Sequence, residues 1–207
     1  MFAFLLLFSL SGMSQSFEGV IEMELIYNNL PAEMQAYKSM LPKETTTIIK
    51  GKNARIEKPG SMGTETVIIM NRDAEISYIL IDTLGQKMYL KQAIDDADEE
   101  ENEDVEVEYY NEEKTVAGYL CKRAEVTDEQ GTVTVWYTTE ITSDASAEFA
   151  VLKGYPLEYT IETEGMEITI RAMDVREEKV DVELFRVPEG YEEVSEEELG
   201  EMMGGSF

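Results

Sequence analysis

The feature that most constrains this chain is an alternation of apolar and polar residues with a period of two. Ile21, Met23, Leu25 and Tyr27 alternate with Glu22 and Glu24. Successive side chains of a strand point to opposite faces, so this pattern places one face on a core and the other in water. It returns in Val133/Val135/Tyr137, in Leu157/Tyr159/Ile161 against Glu158/Thr160/Glu162, and in Ile168/Ile170/Ala172 against Glu167/Thr169/Arg171. Val180/Val182/Leu184 repeat it. Runs rich in Thr, Ile, Val and Tyr at 44–50, 53–58, 64–71, 75–82, 86–91 and 105–110, and the segment Val116 to Val126, read as further strands. Asn71-Arg72-Asp73, Thr83-Leu84-Gly85, Asp128-Glu129-Gln130-Gly131 and Glu164-Gly165 separate them as hairpin turns. Many short strands joined by tight turns predict one curved antiparallel sheet or a sandwich.

Two segments change period. Leu30, Met34, Tyr37 and Leu41 share one helical face between Asn29, a capping residue, and Pro42, a stop. Ser143 to Gly154 reads likewise through Ala145, Phe149 and Leu152, with Gly154 at its C-terminal cap. Both are expected to be short amphipathic helices covering the sheet.

Phe2 to Leu10 is an uncharged apolar run followed by the small, polar stretch Ser11 to Ser16, the order of a signal peptide. The run is too short to span a bilayer, which needs about 20 residues. Cleavage before Phe17 is expected, and with it a periplasmic or secreted protein. Met13, standing where a lipoprotein has its modified cysteine, argues against a lipid anchor. Residues 17–191 suit one domain. Cys121 is the single cysteine, so no internal disulfide forms, and its strand context predicts a small buried hydrophobe.

The formal net charge is −27, and much of it sits in two base-free segments, ten acids from Asp95 to Glu108 and seven from Pro188 to Phe207. Residues 95–104 contain no apolar side chain except Ala97 and read as a solvated, mobile loop; 192–207 read as an acidic tail, with a frayed helix over Glu192 to Met203 as the alternative. The loop lacks the glycine and ligand spacing of an EF-hand, so no metal site is assigned. So acidic a chain does not suit nucleic acid or anionic headgroups. It has no histidine, which excludes Ser-His-Asp and Cys-His nucleophiles and His-bearing zinc sites. Gly51-Lys52 lacks the preceding glycine of a phosphate loop and reads as a turn. Carboxylate pairs such as Glu22/Glu24 are expected on a solvated strand face. A non-enzymatic protein without a cofactor is expected.

The succession of Phe17-Glu18-Gly19-Val20-Ile21, a short helix, hairpins including Lys50 to Ile56, the strands Val116 to Lys122 and Val133 to Thr138, and the closing Phe185-Arg186-Val187-Pro188-Glu189-Gly190-Tyr191 resembles a known family. It is similar to an uncharacterised periplasmic family (DUF4412-like), common in Bacteroidetes-type bacteria, within the superfamily of the lipoprotein carriers LolA and LolB. The resemblance implies a mainly β fold: a single strongly curved antiparallel sheet, a half-barrel, with two short helices over its concave side and an apolar cavity for acyl chains. No carrier motif maps residue by residue. The methionines, adaptable in shape, suit such a lining. The expected cavity residues are Met23, Leu25, Met34, Tyr37, Leu41, Met88, Trp136 and Tyr159. Two functional expectations follow: a carrier or sensor of a lipid or other apolar ligand, or an envelope interaction module whose acidic loop and tail engage a basic protein partner or divalent ions.

Overall fold

The computed structural model describes residues 16–60, 63–94, 105–142, 149, 151–163 and 165–202. Residues 1–15 of the expected signal peptide (1–16), residues 61–62, the acidic segment 95–104, most of the expected second helix (143–148 and 150), Glu164 of an expected turn and 203–207 lie outside the described residues. The strands are β1 (Glu18–Asn29), β2 (Glu44–Lys50), β3 (Asn53–Pro59), β4 (Thr64–Asn71), β5 (Ile76–Thr83), β6 (Gln86–Ala93), β7 (Glu106–Val116), β8 (Tyr119–Asp128), β9 (Gly131–Thr138), β10 (Tyr155–Thr163), β11 (Met166–Glu177) and β12 (Glu192–Glu193), followed by helix α1 (Glu196–Met202). They form one sheet in the order β12-β6-β5-β4-β3-β2-β1-β11-β10-β9-β8-β7. Every neighbouring pair is antiparallel except β12, which lies parallel to β6.

The order has a simple physical origin. Strands β1 to β6 and β7 to β11 are two meanders, each built from hairpins that form locally. Their two-residue turns at Leu84-Gly85 (φ 53° and 89°) and Ala117-Gly118 (φ 47° and 88°) have both residues left-handed, the twist that matches the flanking strands. One long-range pairing, β1 against β11, joins the meanders. At that seam Gly19 is indispensable, because a β-carbon there would lie 2.0 Å from the carbonyl oxygen of Arg176.

The alternation read from the sequence is realised: Ile21 and Met23 are buried beside half-buried Glu22 and Glu24. Ile168, Ile170 and Ala172 are buried with Leu157 and Tyr159 in the largest core cluster. Cys121 belongs to it, fully buried, and burial pushes its thiol pKa up to about 11, so it is inert at neutral pH.

Four expectations are corrected. The segment 30–41 forms a 3-10 helix at Gln35–Met40, with no buried residue, while Asn29 is the last residue of β1. The C-terminal end of the connection is tied to β1 by Leu25 N–H to Lys43 O at 2.8 Å and Tyr27 Oη–H to Pro42 O at 2.8 Å. At three residues per turn, a face spaced for an α-helix cannot stay on one side, and Tyr37 is 56% exposed. Second, Val116 to Val126 is not one strand but the end of β7, the Ala117-Gly118 turn and the start of β8. Third, Val180/Val182/Leu184 is no strand: the Asp181 carboxylate accepts from Glu183 N–H and starts a 3-10 turn, Val182–Phe185, with Val180 and Phe185 buried and Val182 54% exposed. Finally, residues 192–202 of the expected tail dock, through β12 and through α1, whose Leu199 is buried. Of the expected two-helix cover, the first segment forms no α-helix and the second lies mostly outside the described residues; Phe149 of that second segment, Ile141 and Leu199 pack on the sheet face.

Candidate functional site: an apolar band across the sheet

The register places side chains from seven strands in one row. Val175 on β11 lies opposite Ile21 on β1, Ile21 opposite Thr47 on β2, Thr47 opposite Ile56 on β3, Ile56 opposite Ile68 on β4, Ile68 opposite Ile79 on β5, and Ile79 opposite Leu90 on β6. Directly paired residues project from the same face, so this face has a continuous apolar band interrupted only by Thr47, itself buried.

The ends of the band are covered. Ile21 is in the main core with Phe17, Ile141 and Phe149. At the other end Leu199 of α1 lies on Ile81, Met88 and Leu90. Between them Ile56, Ile68 and Ile79 are only half-buried. The opposite face of the same strands differs: Val67, Ile69 and Leu80 are buried under Val180 and Phe185 from the segment that follows β11.

The eight residues expected in a cavity do not form one site. Met23, Leu25 and Tyr159 share the banded face, joined through Ala172 and Ile170 of β11. Tyr159 is buried against Phe149, ring centroids 4.8 Å apart at 71°. Met88 shares that face but is five strand spacings from Met23, about 24 Å along the sheet, under Leu199. Met34 and Leu41 are half-buried in the β1–β2 connection. Tyr37 faces solvent and lines nothing. Trp136 is on the other face, opposite Arg123 and Glu158. The Lys114 ammonium lies 4.3 Å from its ring centroid and 2.7 Å from Glu158.

That polar face is occupied by its own charges. Arg171 pairs with Glu24 at 2.5 Å, and Arg176 with Glu22 at 2.8 Å and with Asp174. Arg123 pairs with Glu112 and Glu125, its guanidinium 4.3 Å from the Tyr110 ring centroid. The Tyr110 hydroxyl lies 2.8 Å from Glu108 and 2.9 Å from Glu125, and these carboxylates raise its pKa well above the usual phenol value. Such ladders fix register and contribute modestly to stability. Among the described residues, no cluster of three or more acidic or cysteine side chains is arranged to hold a metal, and no helix is long and apolar enough to cross a membrane.

Ile56, Ile68, Ile79 and Leu199 were not singled out from sequence. Ile56 was legible, flanked by Arg55 and Glu57. Ile68 was hidden because both faces of Val67-Ile68-Ile69-Met70 are apolar, and a run apolar on both faces has no alternation to read.

Fold and face together define an open antiparallel meander-sheet protein with one banded apolar face. The chain belongs to the family described as "Domain of unknown function (DUF4412)", whose model matches residues 17–151. No curated protein matches it in sequence. In structure the chain is similar to PNGF-II, with a TM-score of 0.58 at 14% identity over 91% of this chain and 33% of that one. It thus spans about a third of PNGF-II's length. Lesser likeness is found to LprF from Mycobacterium bovis (TM-score 0.35, 12% identity, 82% of this chain and 90% of that one) and to a LolA superfamily protein from Nitrosomonas europaea (TM-score 0.32, 10% identity, 84% and 91%).

Proposed function

We propose that the protein is a non-catalytic, exported binding protein whose ligand is apolar, of the acyl-chain class, and lies along the Ile56-Ile68-Ile79 band. The observation behind this reading is the row of half-buried isoleucines between two covered ends. A sheet face needed only for folding is best covered along its whole length, and accessible apolar surface at such a place points to a guest. The absence of histidine and the engagement of the polar face in ion pairs fit a binding role better than a catalytic one. Export rests on the order of residues 2–16. In this reading the sheet curls about the band, as the sequence resemblance to the LolA and LolB carriers implies. The other expectation, an acidic loop and tail engaging a basic partner or divalent ions, gains nothing from residues 192–202, which dock on β6, and its loop lies outside the described residues.

The test is mass spectrometry of an organic extract of natively purified protein, with titration of the emptied protein by a fluorescent fatty-acid analogue. Bound lipid and saturable uptake, lowered by Ile68→Ser, are expected. An empty extract together with no uptake would remove the ligand and leave only the fold.

A further inference from the structure

We propose that α1 is a stopper that limits how far a guest extends along the band, with Leu199 as the residue that sets ligand length; this rests on the apolar-ligand reading above. The path of the chain supplies the argument. After β11 it crosses one face of the sheet through Val180 and Phe185. It then pairs along the β6 edge as β12, and arrives on the opposite face, where Leu199 covers Ile81, Met88 and Leu90.

These three residues continue the floor made by Ile56, Ile68 and Ile79. From Ile56 to Ile79 the half-buried floor, flanked by the main core on the Ile56 and Ile68 side and by the Leu199 cluster on the Ile79 side, spans two strand spacings, roughly 10 Å, and freeing Leu90 adds a third, roughly 5 Å more. What holds the stopper is slight. Glu192 and Glu193 pair with Met88 and Tyr89, Val194 N–H donates to Tyr89 O at 3.0 Å, and Tyr89 Oη–H donates to Glu193 at 2.8 Å. Gln92 donates to Glu196 at 3.0 Å. The helix itself has seven residues, too few to persist without docking. It is started by a capping box, in which Ser195 Oγ accepts from Glu198 N–H at 3.2 Å and Glu198 accepts from Ser195 N–H at 2.8 Å. A short helix held, among the described side chains, by buried Leu199 with half-buried Val194 beside it and by a few exposed hydrogen bonds belongs to the low-stability part of a fold. It lies where a longer guest would need to pass.

The experiment pairs two readouts on full-length wild type, Leu199→Ala, Leu199→Ser and a control, Glu201→Gln. Competition by saturated fatty acids of increasing length against a fluorescent analogue measures length preference. Peroxide oxidation mapped by mass spectrometry measures exposure of Met88, with buried Met23 and Met70 as internal references. Both Leu199 variants should oxidise Met88 at least about tenfold faster with Met23 and Met70 unchanged. They should also shift preference towards longer chains, by about fourfold in affinity for each methylene newly accommodated. The control should match wild type. Met88 equally protected in all variants would overturn the stopper, as would newly exposed Met88 without a change in length preference. Wild type that binds no chain of any length would instead overturn the apolar-ligand reading, and the stopper with it.

Discussion

Ile68 and Ile69 are neighbours in sequence and, by the register of β4, belong to opposite faces, which makes them a sharp test of the band. Ile69 is fully buried, packed with Leu80, Val180 and Phe185 on the covered face. Replacing it by Ala removes three carbons, about 2.4 kcal/mol of transfer free energy at roughly 0.8 per buried methylene. The cavity left behind brings the loss to about 3–4 kcal/mol, within the range for such truncations. For a chain of this length that corresponds to a fall in Tm of roughly 6–16 °C. Ile68 is half-buried on the banded face, so its truncation forfeits less burial and leaves an open recess instead of a closed void; about 1 kcal/mol is expected. Its effect should appear in binding. Urea unfolding followed by circular dichroism, with probe uptake on the same samples, separates the two. Ile69→Ala should lower stability strongly and leave the affinity of the folded fraction unchanged; Ile68→Ala should cost only about 1 kcal/mol of stability and lower that affinity. If Ile68→Ala costs as much stability as Ile69→Ala, the banded face is closed and packed, and the reasoning fails.

The seam between the meanders gives a second prediction: Gly19→Ala should destabilise by at least about 1–3 kcal/mol, the cost of an overpacked site, because its β-carbon would collide with backbone, not with a side chain that can turn away. Urea midpoints measure it, and a midpoint within error of wild type would contradict the close approach. A third concerns acid. The backbone N–H of Ser195, and then its hydroxyl, hold Glu198 below the usual carboxylate range. A depressed carboxylate contributes stability that is present above its unfolded pKa and lost as pH falls through its folded one. The amide of Leu199, which donates to Ser195 O at 2.9 Å, should therefore lose protection from hydrogen exchange below the ordinary glutamate range, after correction for intrinsic rates. Ser195→Ala should weaken that protection at neutral pH and flatten the profile, and identical profiles for the two proteins would refute the capping box as its cause. Lastly, the exported protein should begin at or near Phe17, read by N-terminal sequencing of a periplasmic fraction; a mature chain retaining residues 1–10 would refute the leader.

The sequence by itself determined most strands and many of their turns, because both signals are local. A side chain's face follows from its parity along the strand, and a turn from the backbone freedom of two or three residues. Hence Glu44–Lys50 and Thr64–Asn71 end where the runs rich in β-branched residues end. Cys121 was legible as a buried hydrophobe for the same reason. Parity does not say which face is covered, nor by what. Trp136 was grouped with Tyr159, yet β9 against β10 puts Trp136 opposite Glu158, and Tyr159 opposite Val135 on the other face. Tyr37 matched an apolar helical face that the short, tethered β1–β2 connection could not form. Residues 192–202 read as a solvated tail because six of the eleven are glutamates; Leu199 found the apolar end of β5 and β6 only once those strands stood side by side. The seam of β1 with β11 and the isoleucine band likewise depend on pairings between residues distant in the chain. Their free energy comes from surfaces that exist only after the sheet has assembled, and so only the tertiary structure could decide them.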